Sequence, residues 1–539
     1  GGLEKKYRAL APTLVVDQTQ DFWPTLGSEI ERLKADGFTL ALTNSVMSAQ
    51  CVGPLTDAGF KVCSLIHELG TMISRSHAIE FYKRICAQSH DVVFPNAYVM
   101  GEVTSAFGAP AGRTSVIAQG LYKNVEEDPD GRDALRRLLR LPRATRIVIN
   151  SGYADLRKGV DLFVALAGAV RRLADEVHFV WVGDVDDVVD AWILDDIRRR
   201  RIRNVHFVGF NDAVAKLLSG ADLFFLSSRE DPFPSVVLEA AAIGLPVGAF
   251  DSGGGYVDLI RDTPQLGFLA PSGDLDATAR AILAALASPS LNAPSARAAR
   301  KSLIRERFDF KDYCFSLLKL MTPTEKISVI VPNYNYKPYL RDRLQSIFRQ
   351  SYPIFELIVL DDCSNDGSVE ELEHLAQSLG RDFMLIENER NSGDVFAQWR
   401  RGAEAARGDL VWIAEADDLA SHSFLERLAA MMQDREIGFA FCDSRTIDEA
   451  GEAQWDSYKE YYATLFPGAL AESRVFDGRV FLRDYLSVKN VILNVSSVLW
   501  RKDALMRSMQ RCEGDLAGFR MAGDWRLYAE ACLLGARIG

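Results

Sequence analysis

The sequence predicts an α/β protein: two Rossmann-like halves with a cleft between them, then a third nucleotide-binding unit. Three observations carry this reading. Short, β-rich apolar runs alternate with amphipathic segments along most of the 539 residues, the pattern of parallel sheets with right-handed crossovers. The alternation restarts twice, at Arg146-Ile-Val-Ile-Asn150 and at Ile327-Ser-Val-Ile-Val331. Several runs end in glycine-rich or acidic turns, and open parallel sheets bind ligands at that end of the strand. At roughly 150 residues per domain, the length suits three or four such units.

Composition narrows the class. The 48% hydrophobic and 25% charged fractions are ordinary for globular protein. A net charge of −12 argues against a nucleic-acid partner. The eight cysteines are scattered without a CxxC pair, and Cys63, Cys442 and Cys532 lie in apolar runs. That pattern reads as reduced, buried thiols in a cytosolic protein. No uncharged apolar run approaches the ~18 residues of a membrane span, and no signal peptide precedes the first strand. We therefore expect a cytoplasmic protein, with room for peripheral docking at the inner face of the membrane. The chain opens already heading into a helix and closes as a strand begins, as a fragment of a longer protein would.

Strands are expected first at 13–16, 38–43, 61–66, 91–95 and 114–118, with helices such as 27–35 and 77–89 between them. A charged stretch, 123–145, leads into a second set at 146–150, 177–182, 205–208, 222–226 and 246–250. Closing helices are expected at 282–286 and 308–321, with 288–295 as a proline-bearing surface loop and 322–326 as a linker. The implied domains are 1–122, 123–322 and 323–539.

The second set carries informative turns. Ser151-Gly-Tyr-Ala-Asp-Leu-Arg-Lys-Gly159 follows a strand and opens a helix. Such a turn offers backbone N–H groups and the positive helix end to an anion, and Arg157 and Lys158 add charge. Asp231 and Glu239 follow the next informative strand, and Gly253, Gly254 and Gly255 follow the one after it. In the first set, His67 and Glu68 end the 61–66 strand, either as a donor or acceptor contact or as structural polar groups. The run Arg198–Arg201 with Arg203 suits anionic lipid or a solvated helix end.

The third set begins with Val331-Pro332-Asn333-Tyr-Asn335, then Asp361-Asp362-Cys-Ser364 and Asn391-Ser-Gly393. The acidic pair suits recognition of a nucleoside or a capped turn before the next helix. An apolar run, 410–414, then ends in Glu415, Asp417 and Asp418. Three carboxylates at one strand end repel each other unless a cation or donors offset them. Mg²⁺ is held through one or two carboxylates plus substrate phosphates, while an acidic surface turn looks the same in sequence. A strand is expected over 491–500, and Gly523-Asp524-Trp525 opens a helix, with Asp524 as a base or as an N-cap.

With these motifs in order, residues 1–322 resemble a retaining family 4 glycosyltransferase of GT-B fold. Residues 326–539 resemble an inverting family 2 glycosyltransferase of GT-A fold. The first resemblance implies no cofactor: Arg157, Lys158 and the 253–255 amides would hold the diphosphate, Glu239 the ribose and Asp231 the donor sugar, with His67 nearby. Asp231 stands where the family usually has Glu, and Tyr153 where many members have Arg. The second resemblance implies Pro332, Asn333, Asp361, Asp362 and Asn391 around the nucleotide. It also implies a Mg²⁺ or Mn²⁺ ion at Glu415, Asp417 and Asp418, and Asp524 as catalytic base.

Together they imply a bifunctional, hexosyltransferase-type enzyme taking nucleotide-sugar donors. The acceptor would be a glycan or lipid-linked glycan, by family analogy a bacterial surface polysaccharide. The alternative is one active second half, with the first half a non-catalytic glycan- or partner-binding module. A dinucleotide enzyme is disfavoured, because no G-x-G-x-x-G follows the first strand of either set.

Overall fold

The computed structural model describes residues 4–15, 22–448, 451–513 and 522–539. The chain divides into two compact units, Gly1–Thr322 and Pro323–Gly539. The first holds two parallel sheets. Strands β1 (Leu40–Asn44), β2 (Lys61–Leu65), β3 (Asp91–Phe94) and β4 (Arg113–Val116) lie side by side in sequence order. The second sheet contains β5 (Arg146–Ser151), β6 (Val177–Val182), β7 (Val205–Phe207), β8 (Leu223–Leu226), β9 (Val247–Phe250) and β10 (Gly267–Ala270). Its order is β10-β9-β8-β5-β6-β7. The order reverses at β5, so the loops after β5, β8 and β9 open side by side, where doubly wound sheets bind ligands. β8 and β9 are buried throughout, as strands covered on both faces must be.

Two expectations fail here. Residues 13–15 form no ladder, and Val16 lies outside the described residues. Leu14 and Val15 are exposed; a β-rich run with no neighbour to pair with does not hold as a strand. Residues 288–295 are helical rather than a loop, in Pro289–Asn292 and the start of Pro294–Arg307. Each proline stands in a first helical turn, where its missing N–H costs nothing.

The second unit is built on a mixed eight-stranded sheet. Its strands are β11 (Ile327–Asn333), β12 (Glu356–Asp361), β13 (Met384–Glu387), β14 (Leu410–Ile413) and β15 (Ile437–Phe441). A separate ribbon, β16 (Thr446–Ile447) with β17 (Ala453–Trp455), precedes β18 (Phe476–Asp477), β19 (Val498–Arg501) and β20 (Arg537–Ile538). The order is β13-β12-β11-β14-β19-β15-β20-β18, again reversing at the first strand of the set. Alternate residues feed two cores. Ile330, Val411 and Ile413 pack with Trp399 and Tyr528, while Val329, Leu410 and Trp412 pack with Leu344 and Phe424.

The expected strand over 491–500 is shorter than predicted. Asn494 accepts the Ser496 amide at 2.7 Å and closes a 3-10 turn, so pairing starts only at Val498. All eight cysteines are free; Cys63 and Cys532 are buried, but Cys442 is exposed because it lies just past the end of β15.

One polar network secures the foot of the second sheet. Asp222 accepts from Arg136 at 2.8 Å, from Arg132 at 2.9 Å and from the Ile147 amide at 2.9 Å. Arg136 is buried, so removing Asp222 leaves it with the Thr145 and Gly220 carbonyls but no counter-charge. Asp222→Ala should destabilise the first unit by about 3–5 kcal/mol, seen as an earlier urea midpoint. A loss below roughly 1 kcal/mol, the level of an ordinary surface change, would contradict this.

Candidate active sites

In the first unit, three loops converge because their backbones can touch. Gly159 has φ 70°, and a Cβ there would collide with the Ser227 carbonyl, so the loop after β8 needs glycine beneath it. The helix Val160–Arg171 starts at this point. The Lys158 ammonium pairs with Asp231 at 2.5 Å. Asp231 is 3% exposed, and its amide donates to the Gly253 carbonyl at 2.8 Å. A Cβ on Gly254 would collide with the Asp231 carbonyl, and one on Gly255 with the Asn96 side chain. Lys158, Asp231 and the triple-glycine turn are thus brought together.

Other expected residues are placed around them. Glu239 is buried in the helix Ser235–Ala242 and accepts from Lys123 at 2.9 Å. Arg157 donates to the Glu230 carbonyl at 3.2 Å, and the Gly255 amide to the Pro232 carbonyl at 3.3 Å. From the first sheet, Thr71 donates to Glu230 at 2.6 Å and Asn96 to the Pro232 carbonyl at 2.7 Å. Burial lowers the His67 pKa. Glu68 accepts the Val46 amide at 3.2 Å and the Ser45 hydroxyl, so it braces a turn. Tyr153 is exposed and donates to Asp186 at 3.3 Å.

In the second unit, the acidic end of β14 is held at two points. The Glu415 amide donates to Ser496 Oγ at 2.9 Å, and its carboxylate accepts from Trp399 Nε1 at 2.8 Å. Burial, then repulsion by Asp418 and Asp417, pushes the Glu415 carboxyl up to about 7 despite the Trp399 bond. Asp417, whose side chain still reaches solvent, is shifted upward too, by desolvation and by Asp418. The cation facing them is the buried Arg343, which stacks on Trp412 at 4.8 Å and donates to Ser496 Oγ at 3.4 Å.

Aromatic packing joins this strand end to Asp524. The Phe396 ring lies 4.8 Å from Trp399, edge to face. A Cβ on Gly523 would strike that same Phe396 ring. Only glycine lets the start of the helix Gly523–Leu533 settle there, with Asp524 next to it. Tyr528, one turn further on, feels the charge of both Asp524 and Glu415. Glu415 and Asp524, far apart in sequence, are thus linked through Trp399, Phe396 and Gly523.

Both acids of the Asp361–Asp362 pair accept hydrogen bonds from the surrounding loops. Asp361 accepts from the Ser364 amide at 2.8 Å, the Ser364 hydroxyl at 2.7 Å and Asn333 at 2.7 Å. Asp362 accepts from the Ser392 amide at 2.9 Å, the Gly393 amide at 3.3 Å, Gln398 at 3.1 Å, and Asn388. Asn391 accepts the Gly393 amide at 2.7 Å, and Pro332 is buried near the end of β11. The loops after β11, β12 and β13 are knitted together here.

Among the described residues, no three His, Cys, Asp or Glu side chains form a metal cage. The carboxylates that gather at β14 fit a hard divalent ion completed by substrate oxygens rather than by protein alone. Lys123, Trp399, Phe396, Ser496 and Arg343 escaped the sequence reading. Each reaches its partner only through tertiary packing, and no local spacing marks it.

Comparison with known proteins gives two family matches in tandem. Glycosyl transferases group 1 covers residues 131–302, and Glycosyl transferase family 2 covers 328–488. The chain is a tandem of two glycosyltransferase modules. Asp524 lies beyond the matched part of the second. The chain is 33% identical over 115 residues to TuaG of Bacillus subtilis, named for teichuronic acid biosynthesis (21% of this chain, 45% of TuaG). Glycogen synthase of Mycobacterium tuberculosis is 28% identical over 248 residues (45% of this chain, 56% of that protein). The matches thus span about half of these relatives' own length. The crystal structure of Anabaena HepE with UDP-glucose shares the GT-B fold at TM-score 0.50 and 19% identity, covering 59% of this chain and 89% of HepE.

The raised Glu415 carboxyl has a pH consequence. Its folded value, about 7, lies above its ordinary 4.5, so the folded state binds the proton more tightly. Stability from this group is full below pH ~4.5 and is lost as pH rises through ~7. Glu415→Gln should flatten that decline, gaining on the order of 3 kcal/mol at pH 8 but little at pH 4. Urea-unfolding midpoints of the two proteins followed against pH check this, and an equal decline in both would contradict it.

Proposed function

We propose that the chain is a bifunctional glycosyltransferase, with a GT-B module over 1–322 and a GT-A module over 323–539. It would take nucleotide-sugar donors and extend a glycan, lipid-linked or free, of a bacterial surface polysaccharide. The observation that supports this reading is the run of contacts from Glu415 through Trp399 and Phe396 to Gly523, at the start of the helix that carries Asp524. The polymer class is supported by the names of TuaG and of the Staphylococcus aureus poly(ribitol-phosphate) β-N-acetylglucosaminyltransferase TarS, 28% identical over 131 residues.

In the second module, Asp417 is assigned as direct ligand to Mg²⁺ or Mn²⁺, with Glu415 and Asp418 beside it. When bound, such an ion supplies Lewis-acid neutralisation of a diphosphate. Asp524 takes the proton of the acceptor hydroxyl as that oxygen attacks the anomeric carbon, opposite the leaving diphosphate, inverting the centre. Pro332, Asn333, Asp361, Asp362 and Asn391 shape the nucleotide side. In the first module, Lys158, Arg157 and the amides of 253–255 take the diphosphate without metal. Glu239 meets the ribose and Asp231 the sugar, with His67 on the facing half.

One observation favours a second reading, in which the first module is a non-catalytic glycan- or partner-binding module that takes no nucleotide sugar. Asp231 and Glu239 already have lysine partners, Lys158 and Lys123. Thermal shifts with UDP-glucose and UDP-N-acetylglucosamine, on the full chain and on Lys158→Ala, separate the two. A shift lost in Lys158→Ala supports donor binding in the first module.

EDTA should abolish transfer by the second module and spare the first; insensitivity of both would remove the metal assignment. Asp524→Asn should lower second-module transfer by roughly 10²–10⁴-fold without weakening nucleotide-sugar binding. Full transfer by that variant would place the base elsewhere.

A further inference from the structure

The segment 486–492 fixes the start of the Gly523–Leu533 helix at two neighbouring residues. Trp525 donates its indole N–H to the Leu486 carbonyl at 2.8 Å. Beside it, the Asn490 amide donates to Asp524 Oδ2 at 3.4 Å. The orientation of that amide is set from behind, because Asn490 Oδ1 accepts the Ile492 N–H at 3.0 Å. With its oxygen committed, Asn490 can present only its NH₂ donors to the carboxylate. Val491 and Ile492 are both buried, which anchors the segment carrying the amide.

From this geometry we infer that Asn490 is a positioning residue of the second module, orienting the Asp524 carboxylate for proton transfer. The inference rests on the reading of Asp524 as the base. A carboxylate in this setting has a clear need for a donor. Burial works against its charge, and the Trp525 amide and Asn490 oppose that effect.

Among the described residues Asp524 forms no ion pair; Lys489, next to Asn490, donates instead to the Tyr461 carbonyl at 3.1 Å. The buried Tyr528 of the same helix feels the charge of Asp524. Arg526 of the same helix is directed to Glu530 at 2.5 Å, and Arg511 of the preceding helix reaches Glu530 at 3.6 Å. The packed segment offers the Leu486 carbonyl and Asn490. A neutral amide thus does what a charged partner would do too strongly: it orients the base without making it a poor proton acceptor.

The test reads Asp524 directly in the full chain. A water-soluble carbodiimide with glycinamide modifies carboxyls through their protonated form, and peptide mass mapping follows Asp524 across pH. Asn490→Leu should move the Asp524 midpoint upward by roughly half to one pH unit. Asn490→Asp, of the same shape, should move it further by adding a like charge. The isosteric variant also guards against misfolding of the leucine variant. In transfer assays, Asn490→Leu should lower kcat with donor KM unchanged, and the acidic limb of the kcat profile should shift upward in step. Midpoints of both variants equal to that of the unaltered chain would overturn the inference. Transfer that survives Asp524→Asn would overturn the base reading instead, whatever the labelling midpoints show.

Discussion

Reversal of strand order is the constraint on which both sites depend. In each doubly wound sheet, chain connections diverge from one strand, leaving a crevice at the carboxyl ends that no crossover fills. In the first unit β5 and β8 bound that crevice; in the second β11 and β14 do. Most loops assigned to donor chemistry leave from one of these strands or an immediate neighbour; Asn391 follows β13, one strand further out, and His67 follows β2 of the other sheet. The sheets therefore decide where a nucleotide sugar can lie before any side chain is chosen.

The two crevices handle charge in opposite ways. In the first, the buried acids Asp231 and Glu239 are each met by a lysine, so the site is locally neutral. In the second, Glu415, Asp417 and Asp418 share the field of one buried cation, Arg343, with no direct ion pair to it. One crevice thus carries excess negative charge, while in the other the buried acids are balanced.

Much of this was legible in the sequence, for identifiable reasons. Strands such as β8, β11 and β14 are buried on both faces and show as unbroken apolar runs. Turn residues such as Gly159 and Gly253 mark backbone conformations closed to other side chains. Reading failed where pairing or packing decides. The run at 13–15 has strand-like residues but no neighbour, and Asn494 diverts the chain into a turn before β19. Pro289 and Pro294 signalled a break but serve as helix starts. Trp399 and Lys123 could not be assigned at all, because nothing local distinguishes an indole or ammonium that will meet a carboxylate from one that will not.

Asp362 gathers donors from Asn388, Ser392, Gly393 and Gln398 onto one buried carboxylate. This means that the walls of the second crevice are ordered without help from a ligand. Ordering a loop and its side chains on binding costs free energy that is subtracted from affinity. Here most of that entropy is already lost on folding. A molecule seated against the loops after β12 and β13 would therefore lose little of its affinity to ordering them.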